Sequence, residues 1–317
     1  MDIQRMLVSI PGIIIGYIMD ILYYWAFTNI ALFFLLFVSC STSQTGDHNC
    51  SFIIENENYW RNIAEVSQIF IINTSELLVQ NIKMNEYYEY DVQIINTLKG
   101  TGQERVRFRV FMRENNYNYI MSLAGVEKAI VFLLNTYDGY GHNNYLASYT
   151  ENAIIGHTNE TENIIASEIY LQNNIIANKL YENFNIDKKM YSKVNQYINN
   201  TTNILLENNS FKQLEKLGEI GVPYIILLMD NFETLPIKSI ILENNWEDAF
   251  ESYRQYGPEL VIDALAAILN QITGEDFGSI YNGDTAQEGR ILALNGWRIY
   301  LYKLIQNQRR ENNDSPG

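Results

Sequence analysis

The sequence predicts an α+β protein, a small five-stranded β-barrel-like domain followed by an all-α domain, with an N-terminal apolar signal or anchor helix. Three observations lead there. Leu7 to Val38 is almost continuously apolar, and its second half, Ile21 to Val38, has the length one helix needs to cross a bilayer. From Phe52 to about Tyr149 apolar residues recur mainly at every second position, the signature of strands with one buried face. After roughly Gly156 the spacing changes to threes and fours, which is helical.

The 317 residues and the 47% apolar content supply enough material for a real core. The formal net charge is −15, and removing residues 1–39 takes away only Asp2, Asp20 and Arg5. An acidic body of this kind repels phosphate backbones, so nucleic acid is excluded as a partner. It also repels anionic lipid headgroups, so the body is not electrostatically drawn to a membrane and attachment must come from elsewhere. Cys40 and Cys50 are the only thiols; they form no disulfide framework, CxxC motif or zinc spacing.

The apolar segment ends in Phe37-Val38-Ser39-Cys40, and the polar run Ser41-Thr42-Ser43-Gln44 follows it. A small residue before a cysteine at this junction resembles the lipobox of bacterial lipoproteins. That resemblance implies acylation of Cys40, cleavage before it, and a lipid bilayer as the first partner. Met19 offers a second start that would give the leader an ordinary length. An uncleaved signal-anchor helix is the alternative. Either version puts residues 41–317 outside the cytoplasm on a cell membrane, with residues 1–39 as signal or anchor and 40–51 as tether.

The barrel-like domain is expected over residues 52–156. Tyr59 to Val66 has room for one or two helical turns. Strands are expected at Ile69 to Val79, Tyr87 to Leu98, Arg105 to Met112, Ala129 to Leu134 and Tyr145 to Tyr149. The third alternates cleanly, with Val106, Phe108, Val110 and Met112 on one face and Arg105, Arg107 and Arg109 on the other. The residues Tyr88, Tyr90, Val92, Ile94 and Leu98-Lys99-Gly100, then Ala129-Ile130-Val131-Phe132-Leu133, resemble the OB-type and netrin-like modules of secreted proteins. The resemblance implies a fold and names no ligand.

An Asn-rich helical connector is expected over 157–210, a helical domain over 211–305 and a disordered polar tail over 306–317. Gly218 and Gly221 interrupt a helix near Leu217, and Pro223 suits the first turn of the next. Pro258 precedes the clearest helix, with Leu260, Val261, Ala264, Leu265, Ile268, Leu269 and Ile272 on one wide stripe and Gly274 as its C-terminal stop. A last helix is expected from about Arg290 to Ile305. The stretch Ala264 to Gly278, followed by Gly296-Trp297-Arg298, resembles the closing helices of bacterial exported HEAT-like proteins.

Catalytic motifs are absent from the sequence: there is no HExxH, nucleophile elbow, P-loop or dinucleotide fingerprint. None of His48, His142 and His157 sits at metal-ligand spacing with another histidine or cysteine. No cofactor or resident metal is implied. The acidic loop Gly274 to Gly289, with Glu275, Asp276, Asn282 and Asp284, has the oxygen ligands calcium uses, but Gln287 stands where an EF-hand needs glycine. Glu247, Asp248 and Glu251 read as the acidic start of a helix.

Two surfaces carry recognition chemistry. Arg105, Arg107 and Arg109, with Arg113, read as the only basic concentration on an acidic body; they either bind an anionic ligand or acidic partner or pair with Glu86, Glu89 and Asp91 on the neighbouring strand. Tyr137, Tyr140, Tyr145 and Tyr149 surround a Gly/Asn loop and can stack on sugars, anchor a protein partner or pack a barrel rim. The reading these residues support is a membrane-anchored extracytoplasmic lipoprotein, non-catalytic, that binds a protein, peptide or glycan. An envelope hydrolase working through carboxylates, with or without calcium, is the competing class, and a structural spacer is a third.

Overall fold

The computed structural model describes residues 59–79, 82–84, 87–111, 126–137, 143–147, 153–244, 251–283 and 285–314. The chain divides into Met1–Ser51 and Phe52–Gly317, and every described residue belongs to the second unit. The leader, Cys40, the tether, Tyr140, Tyr149, His48, His142, Glu247, Asp248 and Asp284 lie outside the described residues. Among the described residues no helix is long and apolar enough to cross a membrane.

The fold is α+β. A short helix α1 (59–65) leads into β1 (Gln68–Asn73), helix α2 (Thr74–Val79) and β2 (Ile82–Met84). The sheet continues with β3 (Tyr87–Lys99), β4 (Arg105–Phe111), β5 (Lys128–Tyr137), β6 (Asn143–Ala147) and β7 (Ile154–Gly156). Five strands pair in the order β1-β3-β4-β6-β5, and β5 pairs back onto β1. All of these pairings are antiparallel except β4–β6, which is parallel. The curl originates in β3. Its first half, Tyr87 to Gln93, pairs with β4, and its second half, Ile94 to Lys99, pairs with β1 across two register shifts, and such irregularities bend a strand and increase its twist. At the end of β3, Gly100 has φ +95° and a Cβ there would run into the Gln68 side chain, so glycine is required at this turn.

The period-two pattern sorts the side chains as expected. Phe70, Ile72, Tyr90, Val92, Val106, Phe108, Val110, Val131 and Leu133 fill the inside of the curled sheet. The alternate residues Ile69, Ile71, Ile130 and Phe132 face outward and are covered by Ile63 of α1 and by Ile165 of helix α3 (Asn159–Ala177). Lys99 donates to the Val66 carbonyl at 2.7 Å and to that of Ile63, closing the end of α1.

The first strand departs from expectation. It ends at Asn73 and the chain turns helical, whereas the apolar pattern continued to Val79. The cause is local: Asn73 Oδ1 accepts from the Ser75 amide at 3.0 Å and the Ser75 hydroxyl at 2.8 Å, an N-cap that starts α2.

The second half holds α4 (Lys188–Asn200), α5 (Glu207–Glu215), α6 (Val222–Leu227), α7 (Val261–Thr273) and α8 (Gln287–Asp314), with short 3₁₀ turns at Leu180–Glu182, Gly218–Gly221 and Ile280–Asn282. It is not purely helical, because β8 (Ile240–Glu243) and β9 (Tyr253–Tyr256) form an antiparallel hairpin. Ile240, Leu242 and Tyr256 enter the helical core from it while Ile241 and Tyr253 stay exposed. The last helix runs to Asp314, past the Ile305 boundary read from the apolar stripe, because Gln306, Gln308, Arg309 and Arg310 are good helix formers that need no buried face.

Helices α1 and α3 straddle both cores. Ile63 of α1 and Ile165 and Ile169 of α3 pack on the sheet, whereas Ala64 and Trp60 of α1 and Leu171, Ile175 and Ile176 of α3 join the helical core. Gln172 reaches back to the Trp60 carbonyl at 2.8 Å, Arg61 pairs with Glu275 at 2.7 Å and Lys303 with Glu168 at 2.9 Å.

Candidate functional site

The best-defined polar surface lies on the outer side of β3 and β4. Antiparallel register sets Glu89 opposite Arg109, Asp91 opposite Arg107 and Gln93 opposite Arg105. Because Val106, Phe108 and Val110 are buried, the arginines between them must face outward. The result is a ladder of alternating charge across two strands.

Its members are held unequally. Arg105 donates through Nε to Asp91 Oδ1 at 2.9 Å and through Nη2 to Glu76 Oε2 at 3.0 Å. Hydrogen bonding to Asp91, with smaller help from Glu76, raises its guanidinium above the ordinary arginine value. Arg109 donates to Glu89 Oε2 at 3.1 Å. Arg107 stands between them at 3.8 Å from Glu89 and 3.6 Å from Asp91, with its side chain 65% exposed. Exposed pairs at such distances contribute about 0–1 kcal/mol. Arg107 is therefore the guanidinium that can turn toward an incoming carboxylate at least cost.

Glu76 belongs to this surface and sequence reading missed it. Placed inside an expected strand, it sits instead on α2, where its carboxylate also accepts from the Gln93 amide at 2.9 Å. The signal was present in Asn73-Thr74-Ser75-Glu76, a capping residue followed three positions later by glutamate.

The tyrosine surface is placed in part. Tyr137 closes β5 opposite Asn143, and Tyr145 lies on β6 in register with Phe108 of β4 and Asn135 of β5. The strand carrying Tyr145 therefore runs beside the strand carrying the arginines. Tyr88 and Tyr90 belong to the interior side of β3.

The acidic loop is knitted into the protein. Glu275 pairs with Arg61; burial raises its carboxyl above the usual range although Arg61 opposes this. Asp276 accepts from the Ser279 amide at 2.9 Å, the Ser279 hydroxyl at 2.6 Å and the Tyr281 hydroxyl at 3.3 Å. Asn282 accepts from the Gly257 amide at 3.2 Å. Among the described residues no three His, Cys, Asp or Glu side chains stand close enough to hold a metal ion together. His157 touches Glu162 at 2.7 Å beside the Thr158 cap of α3.

The most deeply buried ion pair among the described residues joins Asp263 and Arg290, a pair the sequence did not single out. Arg290 donates through Nε to Asp263 Oδ1 at 2.7 Å and through Nη2 to Oδ2 at 2.9 Å, and it also reaches Glu259 and the Thr285 carbonyl. Asp263 Oδ2 accepts from the Leu260 amide at 3.0 Å at the start of α7. This fork ties α7 to α8 and is structural.

No family model matches the chain, and no curated protein matches it.

Proposed function

We propose that the protein is an extracytoplasmic lipoprotein, moored to a membrane through acylated Cys40 or through its apolar leader, whose exported part binds a protein, peptide or glycan without catalysis. The Phe37-Val38-Ser39-Cys40 junction supports the address. The ring order β1-β3-β4-β6-β5 supports an OB-like reading of the first half, since small five-stranded Greek-key barrels bind ligands across an open face. The packing of α4 against α5 supports a HEAT-like reading of the second half, from which the β8–β9 hairpin departs.

The binding half of the proposal is carried by Arg107. It is exposed and loosely held in a ladder of mixed charge, on a chain whose formal net charge is −15. Such a face fits a polar partner that presents carboxylates, which arginine takes in fork geometry. A photo-crosslinking residue placed at Gln93, exposed on β3 opposite Arg105 so that Arg107 stays in place, tests it on intact cells. The expected result is one saturable adduct that is missing when the same residue replaces Tyr170, an exposed position on α3. Equal, non-saturable labelling from both positions would contradict it.

A further inference from the structure

The turn between α4 and α5 exposes three consecutive apolar residues. Ile204 is 69%, Leu205 87% and Leu206 42% exposed, although turns ordinarily use Gly, Asn, Ser or Asp. The backbone beneath them is fixed: Asn203 Oδ1 accepts from the Leu205 amide at 3.0 Å, its carbonyl accepts from Leu206 and Glu207 at 2.9 Å, and Thr201 Oγ1 donates to the Ile198 carbonyl at 2.6 Å. The side chains are thus held out into water at a defined tip. A contiguous exposed apolar group of this kind marks an interaction site.

The charge around the tip reverses that of the body. From Lys188 to Leu214 the single acidic residue is Glu207, which is buried, whereas Lys188, Lys189, Lys193 and Lys212 are exposed. At 1.5 Å per residue, Lys193 lies about 10 Å behind the end of α4 and Lys212 about 8 Å behind the start of α5. Apolar faces of peripheral elements sink about 5–10 Å into the boundary between headgroups and acyl chains. Lysine stems at that depth lie along apolar surface and deliver their amines to the lipid phosphates.

We infer that the Ile204-Leu205-Leu206 tip inserts into the lipid surface on which the protein is moored, with Lys193 and Lys212 at headgroup level. The inference rests on the extracytoplasmic mooring proposed above. Chain length permits it: the 18 residues from Ser41 to Asn58 reach at most about 60 Å when fully extended, so the exported unit never leaves the neighbourhood of the bilayer.

The test uses the full chain with Cys50→Ser and Leu205→Cys, labelled at position 205 with an environment-sensitive fluorophore. It is reconstituted in vesicles of phosphatidylcholine, alone or mixed with phosphatidylglycerol. The unsubstituted parent gives the labelling baseline, and Tyr170→Cys is the control position. The inference expects a blue-shifted emission at 205 and about twofold quenching by spin-labelled lipid. Both effects should be larger with the anionic lipid, and position 170 should stay water-like. A chain that floats with the vesicles while position 205 stays water-like overturns the inference and leaves the mooring intact. A shift that grows with protein density at fixed lipid reports contact between copies and overturns it too. A chain that does not float overturns both, since an inserted tip would itself hold the unit to the vesicles.

Discussion

Replacing Arg290 with methionine removes every hydrogen bond the guanidinium makes and keeps most of the stem. Asp263, fully buried, then has one oxygen without a donor, and only the Leu260 and Glu259 amides remain on the other. Breaking a buried pair by deleting one partner costs about 3–5 kcal/mol, most of it the penalty of an uncompensated charge. For a body of this size each kcal/mol moves the midpoint by about 2–4 °C, so thermal unfolding should fall by roughly 10 °C. Adding Asp263→Asn removes the orphan charge and keeps an acceptor for the Leu260 amide, and the double variant should recover about 1–3 kcal/mol relative to Arg290→Met alone. Urea unfolding of wild type, both single variants and the double closes the cycle. If Arg290→Met lies within about 1 kcal/mol of wild type, or the double variant is no better than the single, the reasoning about an uncompensated charge is refuted.

Lys99 gives a pH signature. Burial lowers its ammonium to about 8, against 10.5 for a lysine in water. Between those values the unfolded chain keeps a proton that the folded chain has released, so stability rises with pH across that window and is smallest below it. The Ile63 and Val66 carbonyls offset part of the burial, so the gain should be about 1–3 kcal/mol, and Lys99→Met should abolish that gain in stability, read by urea unfolding from pH 7 to 11. Gly100→Ala should cost about 1–3 kcal/mol in urea unfolding, since the turn is left-handed and Gln68 occupies the space; a neutral outcome would mean the turn relaxes freely. Arg107→Glu should leave the unfolding free energy within about 0.5 kcal/mol of wild type yet abolish the crosslinked adduct formed from Gln93, because exposed pairs add little to stability. Intact mass of the mature protein should show a chain beginning at an acylated Cys40, whereas an unmodified N-terminus at Met1 or Met19 would select the signal-anchor alternative.

The chemistry-bearing strands were legible because a half-buried strand writes its geometry into the sequence. The alternation of Val106, Phe108 and Val110 with Arg105, Arg107 and Arg109 gives both the buried face and the charged one, and Glu89 and Asp91 were nameable as partners from the adjacent strand. Lys99-Gly100 marked the end of β3, and Gly274 marked the end of α7 with φ +73°. Other features were not legible, for identifiable reasons. The switch from strand to helix at Asn73 was signalled by Asn73-Thr74-Ser75-Glu76, but the apolar pattern running on to Val79 hid that cap. The β8–β9 hairpin has only four residues in each strand, too few for periodicity to separate it from helix. The Asp263–Arg290 fork joins residues 27 positions apart through tertiary packing, and no local pattern encodes it. The exposed tip at Leu205 is equally invisible in sequence, where Ile-Leu-Leu reads as core.

Protease added to whole cells is the most direct measurement of the central claim, that a moored polypeptide presents its folded part beyond the membrane. The account predicts that fragments from residues 59–314 appear in the medium without lysis, while the N-terminal stub stays in the membrane fraction. Full-length protein recovered from the soluble cytoplasm, or a folded unit that stays intact until the cells are broken, would contradict it.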